Sequence, residues 1–301
     1  MAAHSYESAF KILYDLRNDI NEYTSGLWLG TDTSGKYTNA WLLKKINDAQ
    51  KHIYSIIMKT SAREIFATST TITGSSGVFS LPWDYGRVIQ FEDENYNKVF
   101  PSSFKQTPVK NADGSDNVYY RLGRTFVVMD STEGATYRLK YYKKPRDLTC
   151  GKASGGASGS INLEDAVYTI RIDDYYNGLT LDNYTDASSG TISDYTASSR
   201  AATISGMTGE ANDYYGTVPD MPDEFHNLIA PFAAILVKEH PASQEKPTKR
   251  EIDMWNLQMA EALSGFIGTP EDIPSMDLFS DYGGTFGIPV NIGELDYTIW
   301  D

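Results

Sequence analysis

The sequence predicts an α+β protein. An α-helical bundle, made of two N-terminal and two later helices, is joined to an antiparallel β domain. Three observations carry this reading. Apolar residues recur at three- and four-residue steps near both flanks, the step falls to two between Glu64 and Lys144, and Gly/Ser-rich runs bracket a strand-like segment over 150–218. A small inserted β module and an extended C-terminal tail complete the expected architecture. The domain division that follows is 1–149, 150–218, 219–269 and 270–301.

The first helix is marked by Tyr6, Phe10, Leu13, Tyr14 and Ile20, with Ser5 as its expected cap. The second begins near Asn39, read as its cap, and places Trp41, Leu42, Ile46, Ala49, Ile53 and Ile57 on one side. Expected strands then cover Ile65–Thr73, Val78–Leu81, Arg87–Glu92, Val118–Leu122, Thr125–Met129 and Thr136–Tyr142. Gly123-Arg124 between two of them signals a two-residue hairpin. The run Asn111–Asn117 has the look of a calcium loop but lacks a Glu at the twelfth position, so it reads as a turn.

Gly151–Gly159 reads as a flexible tether into a module with strands at Tyr168–Ile172, Leu179–Leu181, Thr191–Tyr195 and Ala201–Ile204. A second small-residue run, Gly206–Gly216, closes the module. Such an insertion is expected to be dispensable for folding of the rest. Pro222, Asp223 and Glu224 then open a third helix, in which Pro231 predicts a kink. Thr248 and Glu251 form a capping box for a fourth helix, ending near Gly268.

Charge and composition exclude several functions. The chain has 301 residues, 26 Lys and Arg against 40 Asp and Glu, and a net charge of −14. A protein that grips nucleic acid tightly needs the opposite balance. The single cysteine, Cys150, excludes an intrachain disulfide and a cysteine-rich zinc site, and fits a reducing compartment. No stretch is long and apolar enough for a membrane span. The four histidines, His4, His52, His226 and His240, show no metal-ligand spacing, and no phosphate loop or nucleophile elbow occurs. Asp173-Asp174 read as part of a turn. The expectation is therefore no enzyme, no metal and no cofactor.

Five motifs in order carry a family resemblance. Trp41-Leu-Leu-Lys-Lys-Ile-Asn-Asp-Ala-Gln50 is similar to a W-x-x-x-x-I/L-x-x-A-Q opening, and Phe79-Ser-Leu-Pro-Trp-Asp84 with Arg87-Val88 to Y-x-L-P-x-D-F-x-R-V. The hairpin Tyr119–Val128 follows, then Tyr137–Thr149, similar to L-x-Y-x-x-x-P-x-x-L, and the restart Pro222-Asp-Glu-Phe225. Together they resemble the head-to-tail adaptor (connector) proteins of tailed phages, the ring proteins beneath the portal. The 150–218 module departs from that pattern, since the family has only a short link there. The resemblance implies a structural virion protein at the head–tail junction, made in the host bacterial cytoplasm. It would form a ring, commonly a dodecamer, that binds the portal above and tail proteins (nozzle, tube or fibre-attachment) below. The ring would extend the DNA channel, and an acidic wall would let the genome pass without tight binding. Two alternatives stand beside this one: a head-completion or tail-terminator protein, and a carbohydrate- or receptor-binding β module suggested by the 21 tyrosines.

Residues 270–301 form the candidate docking segment. They carry seven acids and no base, while Gly and Pro exclude a long helix. Phe279, Tyr282, Phe286, Ile288, Ile292, Leu295, Tyr297 and Trp300 are too many apolar residues for a solvated tail. An extended strand docked on a partner satisfies both facts, as does packing along its own domain. The adaptor resemblance points to the portal as the partner, with Trp300 as the anchor.

Overall fold

A computed structural model describes residues 7–22, 37–102, 118–128, 134–164, 169–241, 243 and 245–266. The chain divides into two compact units, one from residues 1–62 with 145–301 and one from 63–144.

The second unit, here the sheet unit, has seven strands among the described residues: β1 (Ala67–Thr73), β2 (Val78–Ser80), β3 (Tyr85–Glu92), β4 (Phe100–Pro101), β5 (Val118–Leu122), β6 (Thr125–Val128) and β7 (Thr136–Lys143). They form a three-stranded sheet ordered β1-β7-β3 and a four-stranded sheet ordered β2-β6-β5-β4, with only the β4–β5 pair parallel. The expected hairpin is present. Leu122 pairs with Thr125, and Gly123 supplies the positive φ of +59° that the first turn position requires. The core is aromatic: Phe91 meets Tyr119, Phe126 and Tyr137 at ring distances of 5.1–5.3 Å, each ring fully or nearly buried.

Among the described residues the first unit holds four α-helices, α1 (Ala9–Asp19), α2 (Asn39–Ile57), α3 (Ile229–Glu239) and α4 (Lys249–Ser264). It also holds a six-stranded sheet ordered β8-β13-β10-β11-β12-β9, whose adjacent strands are antiparallel. The strands are β8 (Cys150–Lys152), β9 (Gly155–Asn162), β10 (Thr180–Asn183), β11 (Ser188–Thr196), β12 (Ala201–Thr208) and β13 (Tyr214–Thr217).

Several local expectations are corrected. Thr38 caps α2, accepting from Trp41 N–H, while the Asn39 side chain accepts from Arg17 instead. Pro222 opens a 3-10 turn over Asp223–Leu228, and α3 starts only at Ile229. Pro231 therefore falls in the first turn of α3, where its missing N–H costs nothing, and no mid-helix kink is needed. The capping box at Thr248 and Glu251 forms as expected, and α4 ends with Gly265 at its cap.

The largest correction concerns 151–159 and 206–216. Most of these two small-residue runs lies in strands β8, β9, β12 and β13, and neither is a tether. Small side chains let strands approach closely here: a Cβ on Gly216 would lie 2.5 Å from the Phe10 nitrogen, and one on Gly156 would lie 2.4 Å from the Gly209 carbonyl oxygen. The sheet accordingly packs directly on α1, with Phe10 tilted against Tyr184 and Tyr214 at 5.1 and 5.3 Å. Tyr176, Tyr195 and Tyr215 fill its interior. Much of the tyrosine surplus is thus core.

Candidate functional site

The motif residues have definite partners, and most of those partners are other motif residues. Ala49 and Gln50 are fully buried on α2. The Gln50 amide donates to the Arg146 carbonyl at 2.8 Å. One turn earlier, Asn47 donates to the Leu148 carbonyl at 3.2 Å and accepts from the Leu148 N–H at 2.7 Å. Its side-chain amide acts as a short strand partner for the segment that leads into β8. Two distant motifs, A-Q and P-x-x-L, are therefore one clamp.

Arg146 extends the clamp. Its guanidinium donates to the carbonyls of Tyr175 and Asn177 and lies 3.6 Å from Asp220. Asp147 N–H donates to the Tyr175 hydroxyl, and Lys51 pairs with the Asp147 carboxylate at 2.5 Å. Residues 146–149 thus join α2, the turn before β10, the last residue of β13, where Thr149 N–H donates to the Thr217 hydroxyl, and Asp220 beyond it.

In the sheet unit the L-P-x-D motif works the same way. Arg124 donates to the carbonyls of Leu81 and Pro82 and stands 3.9 Å over the Trp83 ring. The Tyr141 hydroxyl donates to Asp84 at 2.8 Å. Each motif is a tie within a framework and presents no reacting group to a cleft.

The remaining singled-out residues have structural positions. His52 stacks on Phe232 at 4.5 Å, and buried His226 bonds the Met221 carbonyl through Nε2. Asp173 accepts from Ala197 N–H and Asp174 from Asn177, which is the turn that was read. Cys150 is buried, and burial, with Glu164 nearby, pushes its thiol far above the usual range. Trp255 is core, its indole donating to the Leu228 carbonyl, while Trp41 and Trp83 are half-buried. Among the described residues no three His, Cys, Asp or Glu cluster as a metal site, and no helix is long and apolar enough to cross a membrane. Phe279, Tyr282, Phe286, Ile288, Ile292, Leu295, Tyr297 and Trp300 all lie outside the described residues, as does the 111–117 turn.

Two features were not read from the sequence. In the sheet unit Ile89 and Phe100 are exposed beside a groove at the β3–β4 edge. In the helical unit a groove of about 220 Å³ runs between α3 and α4. Pro231, Ala234 and Ile235 form one wall, Met254, Trp255 and Gln258 the other, with Asp19, Lys238 and Glu251 at the polar side. Lys238 pairs with Glu251 at 2.5 Å, and that hydrogen bond holds the Glu251 carboxyl below its usual range. Burial holds the Asp19 carboxyl above it, reinforced by Asp15. The legible signal was Met254 and Leu257, apolar residues three apart and off the main stripe of α4.

No curated protein is significantly similar to the chain. The profile of the SU10 adaptor protein family, however, matches residues 13–181, more than half of its length. That span contains Asn47, Gln50 and residues 146–148 of the clamp, the whole sheet unit, β8, β9 and the first two residues of β10. The chain belongs to the SU10 adaptor family, a family of structural phage adaptors and not of enzymes.

Proposed function

We propose that copies of this chain form a ring, a dodecamer by resemblance, beneath the portal at the head–tail junction of the virion. There it extends the DNA channel and offers the platform for tail proteins, with no catalytic role. The family match over residues 13–181 carries this reading. The burial of the motif residues supports it, since each serves the framework a ring subunit needs. A heterologous subunit face closes such a ring by rotation. The net charge of −14 suits a channel wall along which DNA slides. The domain division at 150–218 and 270–301 belongs to the same proposal: the first adds a β module to the adaptor core, and the second docks on the portal.

The docking residues are Phe279, Tyr282, Phe286, Ile288, Ile292, Leu295, Tyr297 and Trp300, supported by their density in a segment with seven acids and no base. Deleting 275–301 should leave a folded chain that no longer co-purifies with portal rings. Truncated protein that still binds portal at normal stoichiometry would sink the docking role. Electron microscopy of purified particles tests the ring itself.

A further inference from the structure

The hairpin formed by β5 and β6 ends in a tip that is apolar, cationic and rigid. Leu122 is 59% exposed, more than any other large aliphatic side chain among the described residues. Arg121 and Arg124 stand exposed on either side of the turn. Arg121 has no carboxylate partner among the described residues; its guanidinium donates to the Gly123 carbonyl at 3.0 Å and lies 5.3 Å from the centre of the Tyr85 ring. The turn is fixed by the positive φ of Gly123 and by the Thr125 hydroxyl, which donates to the Leu122 carbonyl at 2.8 Å. A tip held in this way loses little freedom when it docks. An exposed leucine alone needs no explanation, but one held between two arginines at the end of a rigid hairpin has the build of an interface anchor.

The α3–α4 groove has the reciprocal chemistry. Pro231, Ala234 and Ile235 face Met254 and Trp255 across it, and Met254 is 50% exposed. Asp19 and Glu251 line its polar side with a single cation, Lys238, and that cation pairs with Glu251. Asp19 is exposed and has no ion-pair partner among the described residues. A cavity of about 150 Å³ holds benzene. The groove, at about 220 Å³, therefore has room for a leucine side chain. An apolar knob beside an arginine without a carboxylate matches an apolar hole beside a carboxylate without a cation. Tip and groove both stay open in a single chain, which leaves a second copy as the occupant.

We propose that the β5–β6 tip of one copy docks in the α3–α4 groove of the next, with Leu122 against Met254 and Trp255 and Arg121 facing Asp19. Each copy offers one tip and one groove, so the contact is heterologous, the kind that closes into a ring when the rotation permits. This deepens the ring reading above and rests on it only for closure.

Sedimentation of the full-length chain tests the contact. Association should grow with concentration, and Leu122→Ala should weaken it by about tenfold. Arg121→Glu and Asp19→Lys should each weaken it, and the two combined in one chain should restore it, because the charges are then exchanged and not removed. Leu122→Asp spoils the tip and Met254→Arg spoils the groove. Both positions are exposed, so matching melting curves should show that both variants keep the fold. Each should stay monomeric alone, and their mixture should give a one-to-one dimer, since it retains one sound tip and one sound groove. A mixture that stays monomeric, either variant associating alone, or a wild-type chain monomeric at every soluble concentration overturns the proposal. Electron microscopy of particles separates it from the ring reading. Rings built from Leu122→Asp chains sink this inference alone, and tip–groove dimers from a chain that forms no ring in particles sink the ring reading alone.

Discussion

Gln50 and Asn47 show how much a single buried amide decides. Both are polar residues in the middle of an amphipathic helix, where their side chains replace the strand neighbour that the 146–148 segment lacks. Buried carbonyls without a donor cost about 1–3 kcal/mol each. Gln50→Leu keeps the approximate size of the side chain but leaves the Arg146 carbonyl unsatisfied. It should lower unfolding free energy by roughly 2 kcal/mol in urea titration, with an unchanged m-value. An unaltered midpoint would show that the bond contributes nothing. The sequence marked Ala-Gln as a motif, but nothing in it stated the partner, since the clamp spans 96 residues.

At the scale of elements, α3 and α4 are joined by one carboxylate with two duties. Glu251 closes the capping box with Thr248 and also accepts from Lys238, whose side chain is almost buried. Its carboxyl is held low in the folded state, so its stabilisation is present above the ordinary carboxylate range and is lost as pH falls through the lowered folded value. Asp15, Asp19 and Glu239 oppose it: burial raises each, so each favours the folded state more as pH falls. Glu251→Gln should lower the melting temperature at pH 7 and narrow the gap to wild type near pH 3. A gap that stays constant with pH would exclude the ionic role. The capping box itself was legible, because Thr-x-x-Glu is a local pattern. So were α2, the hairpin at Gly123 and seven further strands, β1, β2, β3, β7, β10, β11 and β12, where period and turn residues agree. Strands β8, β9, β13 and the two-residue β4 were not, and the strand expected over Tyr168–Ile172 is irregular at its described residues, 169–172. Glycine, serine and alanine give no alternation, and their strand state comes from the neighbours they let approach, such as Phe10 on Gly216. Replacement of 151–217 by a linker would consequently strip the surface on which α1 packs.

At the scale of the molecule, the two units divide stability as well as sequence. The sheet unit has its own aromatic core, and its first and last strands pair with each other, Ala67 opposite Tyr142 and Thr73 opposite Thr136. Residues 63–144 expressed alone should fold cooperatively, giving a sigmoidal melt by near-UV circular dichroism of the buried tyrosines. A featureless near-UV spectrum would show that the unit depends on the helices. The adaptor family was legible at this scale through the order of its motifs. The candidate site was not: the groove depends on which face of α4 stays uncovered, and local sequence carries no record of that.

The clamp between α2 and residues 146–148 has a consequence for the order of events in time. Closing a loop of about 95 residues costs roughly 4 kcal/mol in its length-dependent part. The whole sheet unit lies inside that loop. Once β1 has zipped to β7, the connecting path from Gln50 to Arg146 shortens to about twenty residues, and the closure cost falls by about 1 kcal/mol. Refolding should therefore run from the inside outward: the sheet unit forms first, Asn47 and Gln50 then capture the returning chain, and the six-stranded sheet assembles last on α1. During synthesis the same sequence of steps follows the direction in which the ribosome delivers the chain.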